Sequence, residues 1–265
     1  MLLKDRVAIV TGGAKGMGRG IAYRLAEEGC AVVVVDIDMP EAAVTVSEIQ
    51  KRGGTALAIQ CDVTRDLQVK AVVDQVVGRF SKIDILVNNA GGAHIKASIE
   101  NLTEEQWDKV MNLNLKSVFF FCKYVVPTMK ARKYGKIVSI SSIGAVQPPG
   151  HVIAYNTAKS AIIGFSCDLA TALAPLGINV NTILPGPVQT HFYDETVKGM
   201  TAQQQADFFA MLGRKVPLQR IGQPEDIGNA VVFLVSDMGS FITGHPLYVT
   251  GGLPLMPPSS PPPAK

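Results

Sequence analysis

Short apolar runs alternate with longer segments of helical periodicity along most of the chain. Seven runs are mostly apolar on successive positions, which is typical of strands buried on both faces; they cover 7–10, 32–35, 56–59, 83–87, 136–140, 179–183 and 247–249. Helical spacing occurs at 16–28, 41–51, 67–80, after Thr103, at 154–173 and at 224–235. Thr103 and Gln106 have the spacing of a capping box, so we expect a helix to begin there.

This alternation of strands and helices predicts an α/β fold. Parallel strands need crossover helices, and right-handed crossovers on both faces give a doubly wound sheet. We therefore expect one Rossmann-type domain over residues 1–252, with a seven-stranded parallel sheet covered by helices on both faces. Residues 253–265 are rich in Pro and Ser, which predicts an extended or disordered tail.

Composition narrows the classes of function. The net charge is only +3 and the basic residues form no block, so the sequence lacks the footprint of a nucleic-acid-binding protein. No apolar run approaches the roughly 18 residues that a membrane span requires. The four cysteines form no C-x-x-C pair and the four histidines show no ligand spacing. We expect a cytoplasmic protein without a metal site.

The first predicted strand runs into a glycine-rich turn, and a helix follows. Glycines let the backbone approach a pyrophosphate closely, and the N-terminus of the helix offers free N–H groups. An ordinary glycine-rich turn is the alternative, but the strand–turn–helix context favours a dinucleotide. The predicted cofactor-binding residues in this turn are Gly12, Lys15, Gly16, Met17 and Gly18.

Further candidate cofactor contacts follow the next three strands. Asp36 lies about 20 residues beyond the glycines, where an acid binds the adenosine ribose hydroxyls; a helix N-cap is the alternative. Asp62 either contacts adenine or caps the next helix. The small residues after the fourth strand, Asn89, Ala90 and Gly91, suit a backbone lying beside a flat cofactor, although they also suit a plain turn.

Tyr155 and Lys159 are four residues apart on a predicted helix and so share one face. Hydroxyls at Ser141 and Ser142 follow the fifth strand, at the sheet edge where α/β proteins bind ligands. An adjacent ammonium lowers the pKa of a tyrosine from about 10. Such a pair can also be two exposed residues without a function. Otherwise Tyr155 is a candidate general base for alcohol oxidation and general acid for ketone reduction.

Taken in order, these motifs resemble the short-chain dehydrogenase/reductase family in its shorter form. The resemblance runs from Leu3 to about Gly252. It is carried by Thr11-Gly-x-x-x-Gly16-x-Gly18, Asn88-Asn89-Ala90-Gly91, Asn114, Ser142, Tyr155-x-x-x-Lys159 and Pro185-Gly186. One departure is Thr250 before Gly251-Gly252, where the family often has Asp; that acid is not catalytic.

The resemblance implies a catalytic tetrad of Asn114, Ser142, Tyr155 and Lys159. Ser142 would orient the substrate oxygen, Tyr155 would transfer its proton, and Lys159 would hold the nicotinamide ribose and tune Tyr155. Asn114, preferred to Asn112 by its context, would hold a water linked to Lys159. The resemblance also implies a homotetramer. Its remaining cofactor contacts are Val63, Tyr155, Lys159, Pro185, Gly186, Val188 and Thr190.

The sequence thus predicts an oxidoreductase that transfers a hydride between NAD and a small or medium secondary alcohol or ketone. Lys15 favours NADP, whereas Asp36 favours NAD. The 2′-phosphate of NADP would be repelled by Asp36, and this repulsion predicts a preference for NAD. A 3-oxoacyl thioester reductase is one alternative, but that activity usually goes with NADPH. A sensor that binds NAD(H) without turnover is another, which the intact tetrad opposes.

The substrate is the least defined part of the prediction. Pocket walls are expected after Gly91, after Ser142 and between about 188 and 213, a segment that could form a lid. Polar and aromatic side chains there suit a hydroxylated or cyclic compound better than a long acyl chain. The predicted substrate contacts are Ser142, His94, Gln147 and His151, and His191, Phe192, Tyr193 and Phe208 lie in the same segments.

Overall fold

The centre of the molecule is a seven-stranded parallel sheet, as the sequence predicts. The computed structural model describes residues 1–254, so most of the predicted tail, from 255 on, lies outside the described residues. The strands are β1 (Val7–Thr11), β2 (Ala31–Asp36), β3 (Ala56–Gln60), β4 (Ile85–Asn88), β5 (Gly135–Ile140), β6 (Ile178–Pro185) and β7 (Pro246–Val249). Their order is β3-β2-β1-β4-β5-β6-β7, and every neighbouring pair is parallel.

Helices connect the strands and cover both faces of the sheet. They are α1 (Gly16–Glu27), α2 (Met39–Lys51), α3 (Asp66–Phe80), α4 (Glu104–Met111), α5 (Ser117–Arg132), α6 (Ile153–Leu173), α7 (Asp194–Val197), α8 (Ala202–Arg214) and α9 (Pro224–Val235). The predicted capping box begins α4, where the Thr103 hydroxyl accepts from the Gln106 N–H at 3.2 Å. No helix among residues 1–254 is both long and apolar enough to cross a membrane.

Alternate side chains of the strands point into two separate apolar cores. Val10 and Val34 belong to the core beneath α1, α2 and α9. Ile9 and Val33 point the other way, into the core beneath α3, α5 and α6. Strands that are buried on both faces account for the continuous apolar runs in the sequence.

The chain reverses its direction across the sheet between β1 and β4. It first builds outward from β1 through β2 to β3, and then crosses back to place β4 on the other side of β1. At such a switch point the loops after the two strands diverge and leave a crevice at their carboxyl ends. The loops that follow Thr11 and Asn88 therefore border the candidate site.

The long helix predicted after Thr103 is interrupted by a wide, π-helical turn at Asn112–Lys116. Asn114 lies in this turn, and its Nδ2 donates to the Val110 carbonyl at 2.9 Å. Such turns often occur at functional sites, because the extra residue redirects a side chain out of the regular helix. The sequence pattern predicts the helix but not this interruption.

Candidate active site

The glycine-rich turn between β1 and α1 forms a cradle for an anion. Lys15 is the N-cap of α1 but makes no side-chain capping bond, so it leaves the first N–H groups of the helix available. A Cβ on Gly18 would lie 2.0 Å from the Gly12 carbonyl oxygen, and a Cβ on Gly12 would lie 2.9 Å from the Ala90 Cα. Only glycine permits this packing, and the resulting surface fits a dinucleotide pyrophosphate.

The loop after β4 is bonded directly to this cradle. The Thr11 hydroxyl accepts from the N–H groups of Asn89 and Ala90, both at 3.0 Å. The Asn89 Nδ2 donates to the carbonyls of Thr11 at 2.9 Å and Gly12 at 3.0 Å. The predicted contacts Asn89 and Ala90 thus form one rigid floor with the glycine turn.

Asp36 lies at the end of β2 and faces the same turn. Its two carboxylate oxygens accept from the N–H groups of Ala14 and Asp38, each at 3.0 Å. These bonds fix the carboxylate beside the cradle, where the adenosine ribose of a dinucleotide would lie. The alternative that Asp36 caps α2 is not what the structure shows, because Asp38 is the N-cap of that helix.

Lys15 is partly exposed to solvent and pairs with two acids. Its Nζ lies 3.0 Å from Asp38 and 3.7 Å from Glu41, and the hydrogen bond with Asp38 raises the pKa of Lys15. Arg19 is also engaged, with its Nη2 at 2.7 Å from Glu41. The sequence-based prediction rests on Lys15 and Asp36. Asp38 and Glu41 are absent from it, although their positions at the N-cap and in the first turn of α2 are a signal.

The other predicted contacts with the adenosine end lie after β3. Asp62 accepts from both the N–H and the hydroxyl of Thr64, at 2.9 and 2.7 Å, and these bonds lower the pKa of its carboxyl. Asp62 therefore stabilises the turn before α3. It is not the N-cap of that helix, because the N-cap is Arg65. Val63 is buried next to it.

The predicted tetrad comes together around the ends of β4 and β5 and the first turns of α6. Lys159 is buried, and its Nζ donates to the Ile140 carbonyl at 2.8 Å. The same Nζ lies 5.6 Å from the centre of the Tyr155 ring. The Ser142 side chain lies near the Tyr155 hydroxyl and lowers its pKa.

Asn114 meets this group across the loop after β4. Its Oδ1 accepts from the Gly92 N–H at 3.0 Å, and its Nδ2 donates to the Gly92 carbonyl at 2.9 Å. A Cβ on Gly91 would lie 2.7 Å from the Asn114 Oδ1 and 3.1 Å from the Lys159 Nζ. The amide and the ammonium are thus neighbours on either side of Gly91, which leaves no room for a side chain.

Burial changes the acidity of both Tyr155 and Lys159. It raises the pKa of Tyr155 to about 12, with the side chain of Ser142 acting in the opposite direction. It lowers the pKa of Lys159 to about 8. From the sequence we expect a lowered pKa for Tyr155, whereas in the protein without cofactor the pKa is raised, because burial disfavours the phenolate.

Lys159→Met is expected to stabilise the protein without cofactor by roughly 2 kcal/mol at neutral pH. Holding Lys159 charged costs roughly 3 kcal/mol, from the fall of its pKa from 10.5 to about 8. The variant also loses the hydrogen bond to the Ile140 carbonyl, which reduces the expected stabilisation by about 1 kcal/mol. The cost of the charge is fully present below pH 8 and disappears as the pH rises to 10.5.

Urea denaturation at neutral and alkaline pH measures this effect. The midpoint of Lys159→Met should exceed that of the native protein at neutral pH, and the gap should close at alkaline pH. Lys109→Met, at an exposed position on α4, is the matched control and should show no such gap. A Lys159→Met protein that is less stable at both pH values would contradict the assigned cost.

The segment after β6 closes over the cradle. The Gly186 N–H donates to the Val249 carbonyl at 3.0 Å, which joins Pro185 and Gly186 to the end of β7. A Cβ on Gly16 would lie 2.8 Å from the His191 Nδ1 and 3.2 Å from the Thr190 Cβ. Thr190 and His191 therefore lie against the first residue of α1, and Val188 is buried behind them.

The predicted substrate contacts separate into two groups. The His94 ring is in contact with the Tyr155 ring, with centroids 4.1 Å apart. Gln147 and His151 are exposed, and the His151 Nδ1 lies 3.2 Å from the Pro149 carbonyl oxygen. His94 and Ser142 thus lie beside Tyr155, whereas Gln147 and His151 are exposed to solvent.

Aromatic rings from the predicted lid extend this wall. Phe192 packs edge-on against His94, with centroids 4.7 Å apart, and Tyr193 packs against Phe192 at 4.9 Å. Phe208 and Phe209 of α8 continue the contacts. This segment is expected from the sequence, but Phe209 and the helices α7 and α8 are not.

Fold and site together define a Rossmann-type oxidoreductase. A sequence profile whose family is described as enoyl-(acyl carrier protein) reductase matches residues 12–254. The chain belongs to the short-chain dehydrogenase/reductase family.

Named relatives cover almost the whole chain. The chain is 39% identical to "(2S)-[(R)-hydroxy(phenyl)methyl]succinyl-CoA dehydrogenase subunit BbsD" of Thauera aromatica, over 95% of the chain and 98% of the relative. It is 37% identical to 3-oxoacyl-[acyl-carrier-protein] reductase FabG of Staphylococcus epidermidis, over 94% and 99%. It is 38% identical to cyclopentanol dehydrogenase of a Comamonas species, over 94% and 97%.

Proposed function

We propose that this protein is an NAD-dependent dehydrogenase of small or medium secondary alcohols, which also reduces the corresponding ketones. The observation that carries the proposal is the position of Tyr155 beside the glycine cradle, with Ser142 near enough to lower its pKa and the Lys159 Nζ 5.6 Å from its ring centre. A protein that only bound a nucleotide would not need a hydroxyl pair at this position. The bound nicotinamide would accept a hydride from the alcohol carbon.

Each member of the group has a separate task in this proposal. Ser142 donates to the substrate oxygen and orients it towards Tyr155. Tyr155 takes the hydroxyl proton of the alcohol during oxidation and returns it to the ketone during reduction. Lys159 holds the nicotinamide ribose and stabilises the phenolate. Asn114, next to Lys159, holds a water through which the proton reaches solvent.

The residues that would hold the cofactor follow the crevice from one end to the other. The pyrophosphate would lie on Gly12, Gly16 and the N–H groups that open α1, and Thr190 would cover it. Asp36 would bind the adenosine ribose. Lys159 would bind the other ribose, close to Tyr155.

Charge at the adenosine end supports NAD rather than NADP. Three acids, Asp36, Asp38 and Glu41, surround two bases, Lys15 and Arg19, which leaves a net charge of −1 at this end of the crevice. A 2′-phosphate would add about −1.5 to −2 charges there. Lys15 is already paired, so it does not offset the repulsion.

A steady-state assay with cyclopentanol and NAD tests the proposal. We expect oxidation of cyclopentanol, the substrate named for one relative, at a kcat/KM above that for the reduction of a short 3-oxoacyl thioester with NADPH. The aromatic wall of Phe192, Tyr193 and Phe208 supports a compact substrate. Turnover of the thioester alone would contradict the proposal.

A 3-oxoacyl thioester reductase is the second candidate. The identity of 37% to the FabG relative, over nearly the full length of both chains, favours it. The acidic adenosine end opposes it, because that activity usually uses NADPH. The two candidates therefore differ in both substrate and cofactor, and the assay above separates them.

The proposal includes a cytoplasmic homotetramer. Three of the four cysteines are buried thiols, and burial raises the pKa values of Cys61 and Cys122 to about 11 and 12, which suits a reducing compartment. Sedimentation equilibrium should give four times the chain mass of 28.2 kDa.

A further inference from the structure

His94 occupies an unusual position for a polar side chain. It lies in the loop after β4, and its ring is 4.1 Å from the Tyr155 ring and 4.7 Å from the Phe192 ring, centroid to centroid. One contact is tilted and the other is edge-on, so the two rings fix the orientation of the imidazole. Both contacts are apolar and leave its ring nitrogens unbonded.

No group among the described residues makes a hydrogen bond to either ring nitrogen of His94. Burial, together with the nearby charges of Lys159 and Lys96, lowers the pKa of His94 to about 4. The imidazole is therefore neutral at physiological pH and carries one N–H donor and one acceptor. Since His94 is only partly buried, water in the cleft can solvate these nitrogens until a substrate enters.

A substrate bound at Tyr155 removes that water. A buried donor that loses water without gaining a partner costs free energy, so a substrate that supplies an acceptor is favoured over one that does not. Because the imidazole packs on the Tyr155 ring, this acceptor would lie near the oxygen that Tyr155 serves. A neighbouring carbon of the substrate suits that position better than the far end of a long chain.

We infer that His94 forms a hydrogen bond to a second oxygen of the substrate. This bond makes the enzyme selective for compact alcohols with oxygen on the adjacent carbon, such as vicinal diols and hydroxyketones. The inference rests on the proposed function, because it takes Tyr155 as the group that serves the reacting oxygen. It deepens that function from secondary alcohols in general to vicinally oxygenated ones.

A comparison of cyclopentanol with vicinal cyclopentanediol tests the inference. We expect the native enzyme to prefer the diol by about 10-fold to 100-fold in kcat/KM with NAD, the size of one hydrogen bond and the cost of leaving its donor unpaired. His94→Phe keeps the ring contacts but has no donor, so its ratio should fall to near one. His94→Gln keeps a donor and should retain part of the preference.

Binding provides a readout independent of turnover. With NADH present, calorimetry should show the diol binding more tightly than cyclopentanol to the native protein, and the difference should be lost in His94→Phe. His245→Phe is the matched control, because His245 is exposed at the opposite end of the sheet, just before β7, and should keep the native ratio.

The possible failures are distinguishable. Turnover of both alcohols without preference, or a preference that His94→Phe leaves unchanged, overturns the role of His94 but not the proposed function. Absence of turnover with both alcohols and with a panel of other secondary alcohols, in a protein shown to bind NAD, overturns both.

Discussion

Tyr155→Phe is expected to lower turnover by at least ~10²-fold, the scale of a lost general acid–base. The substitution removes one oxygen and keeps the ring that packs against His94, so the fold and the cleft wall should be preserved. The phenol oxygen is lost, which leaves the alcohol without its proton acceptor. Affinity for NAD should be retained, since the cradle residues are untouched.

Fluorescence titration with NADH and steady-state kinetics on the same preparation measure both quantities. Phe119→Leu, at an exposed position on α5, is a control for the effect of altering an aromatic residue away from the site. Near-normal turnover in a folded Tyr155→Phe protein would remove Tyr155 from the mechanism.

The pH profile gives an independent check on the same residue. Because burial raises the pKa of Tyr155 to about 12, its hydroxyl is protonated at neutral pH in the protein without cofactor. Alcohol oxidation needs the deprotonated form, so its rate should rise with pH through the alkaline range, and ketone reduction should fall. A flat profile, with chemistry shown to limit the rate, would contradict this role.

NAD is expected to be preferred over NADP by roughly 10²-fold or more in kcat/KM. A carboxylate bonded to ribose hydroxyls contributes roughly 1.5–3 kcal/mol, and a 2′-phosphate removes that bond. At about 4 Å and an effective dielectric constant near 20, each like charge costs a further ~4 kcal/mol before screening. Since ~1.4 kcal/mol corresponds to a factor of ten, the loss of this bond alone would account for most of the predicted preference in kcat/KM.

The arrangement of Lys15 changes what the variants should do. Asp36→Ala brings the net charge of the adenosine end from −1 to zero, but Lys15 remains paired with Asp38 and Glu41. Asp36→Ala should therefore reduce the preference for NAD over NADP without reversing it. The double variant Asp36→Ala/Asp38→Ala brings the charge to +1 and frees Lys15 from its nearer partner, so it should use NADP best.

Steady-state kinetics with both cofactors across the native protein, the two variants and Asp38→Ala measures this order. Equal efficiency with NAD and NADP in the native protein would mean that Lys15, and not the acids, governs cofactor choice. An Asp36→Ala protein that already prefers NADP would show that the pairing of Lys15 has no effect.

The sequence predicts the sheet well because its strands are buried on both faces. Continuous apolar runs such as 32–35 have no polar position to confuse them with a surface helix. The glycine turn is predictable for a similar reason, since its backbone allows no side chain at Gly12 or Gly18. The apolar runs and the glycine turn are each explained by one local physical requirement, which makes both of them predictable from the sequence.

The features that the sequence did not predict depend on contacts between distant segments. The wide turn at Asn114 accompanies bonds to Val110 and to Gly92, on another loop. The pairing of Lys15 with Asp38 joins the glycine turn to the start of α2. The raised pKa of Tyr155 follows from burial, which no spacing of Tyr155 and Lys159 reveals.

A single-turnover experiment tests the central claim most directly. The protein loaded with stoichiometric NAD is mixed with excess cyclopentanol, and the absorbance of the reduced nicotinamide is followed. The account predicts that all bound NAD is reduced in one phase, that deuterium on the carbinol carbon slows this phase, and that Tyr155→Phe loses it while still binding NAD. Bound NAD that stays oxidised in the native protein, with cyclopentanol and with a panel of other secondary alcohols, would contradict the account and indicate a protein that binds the nucleotide without using it.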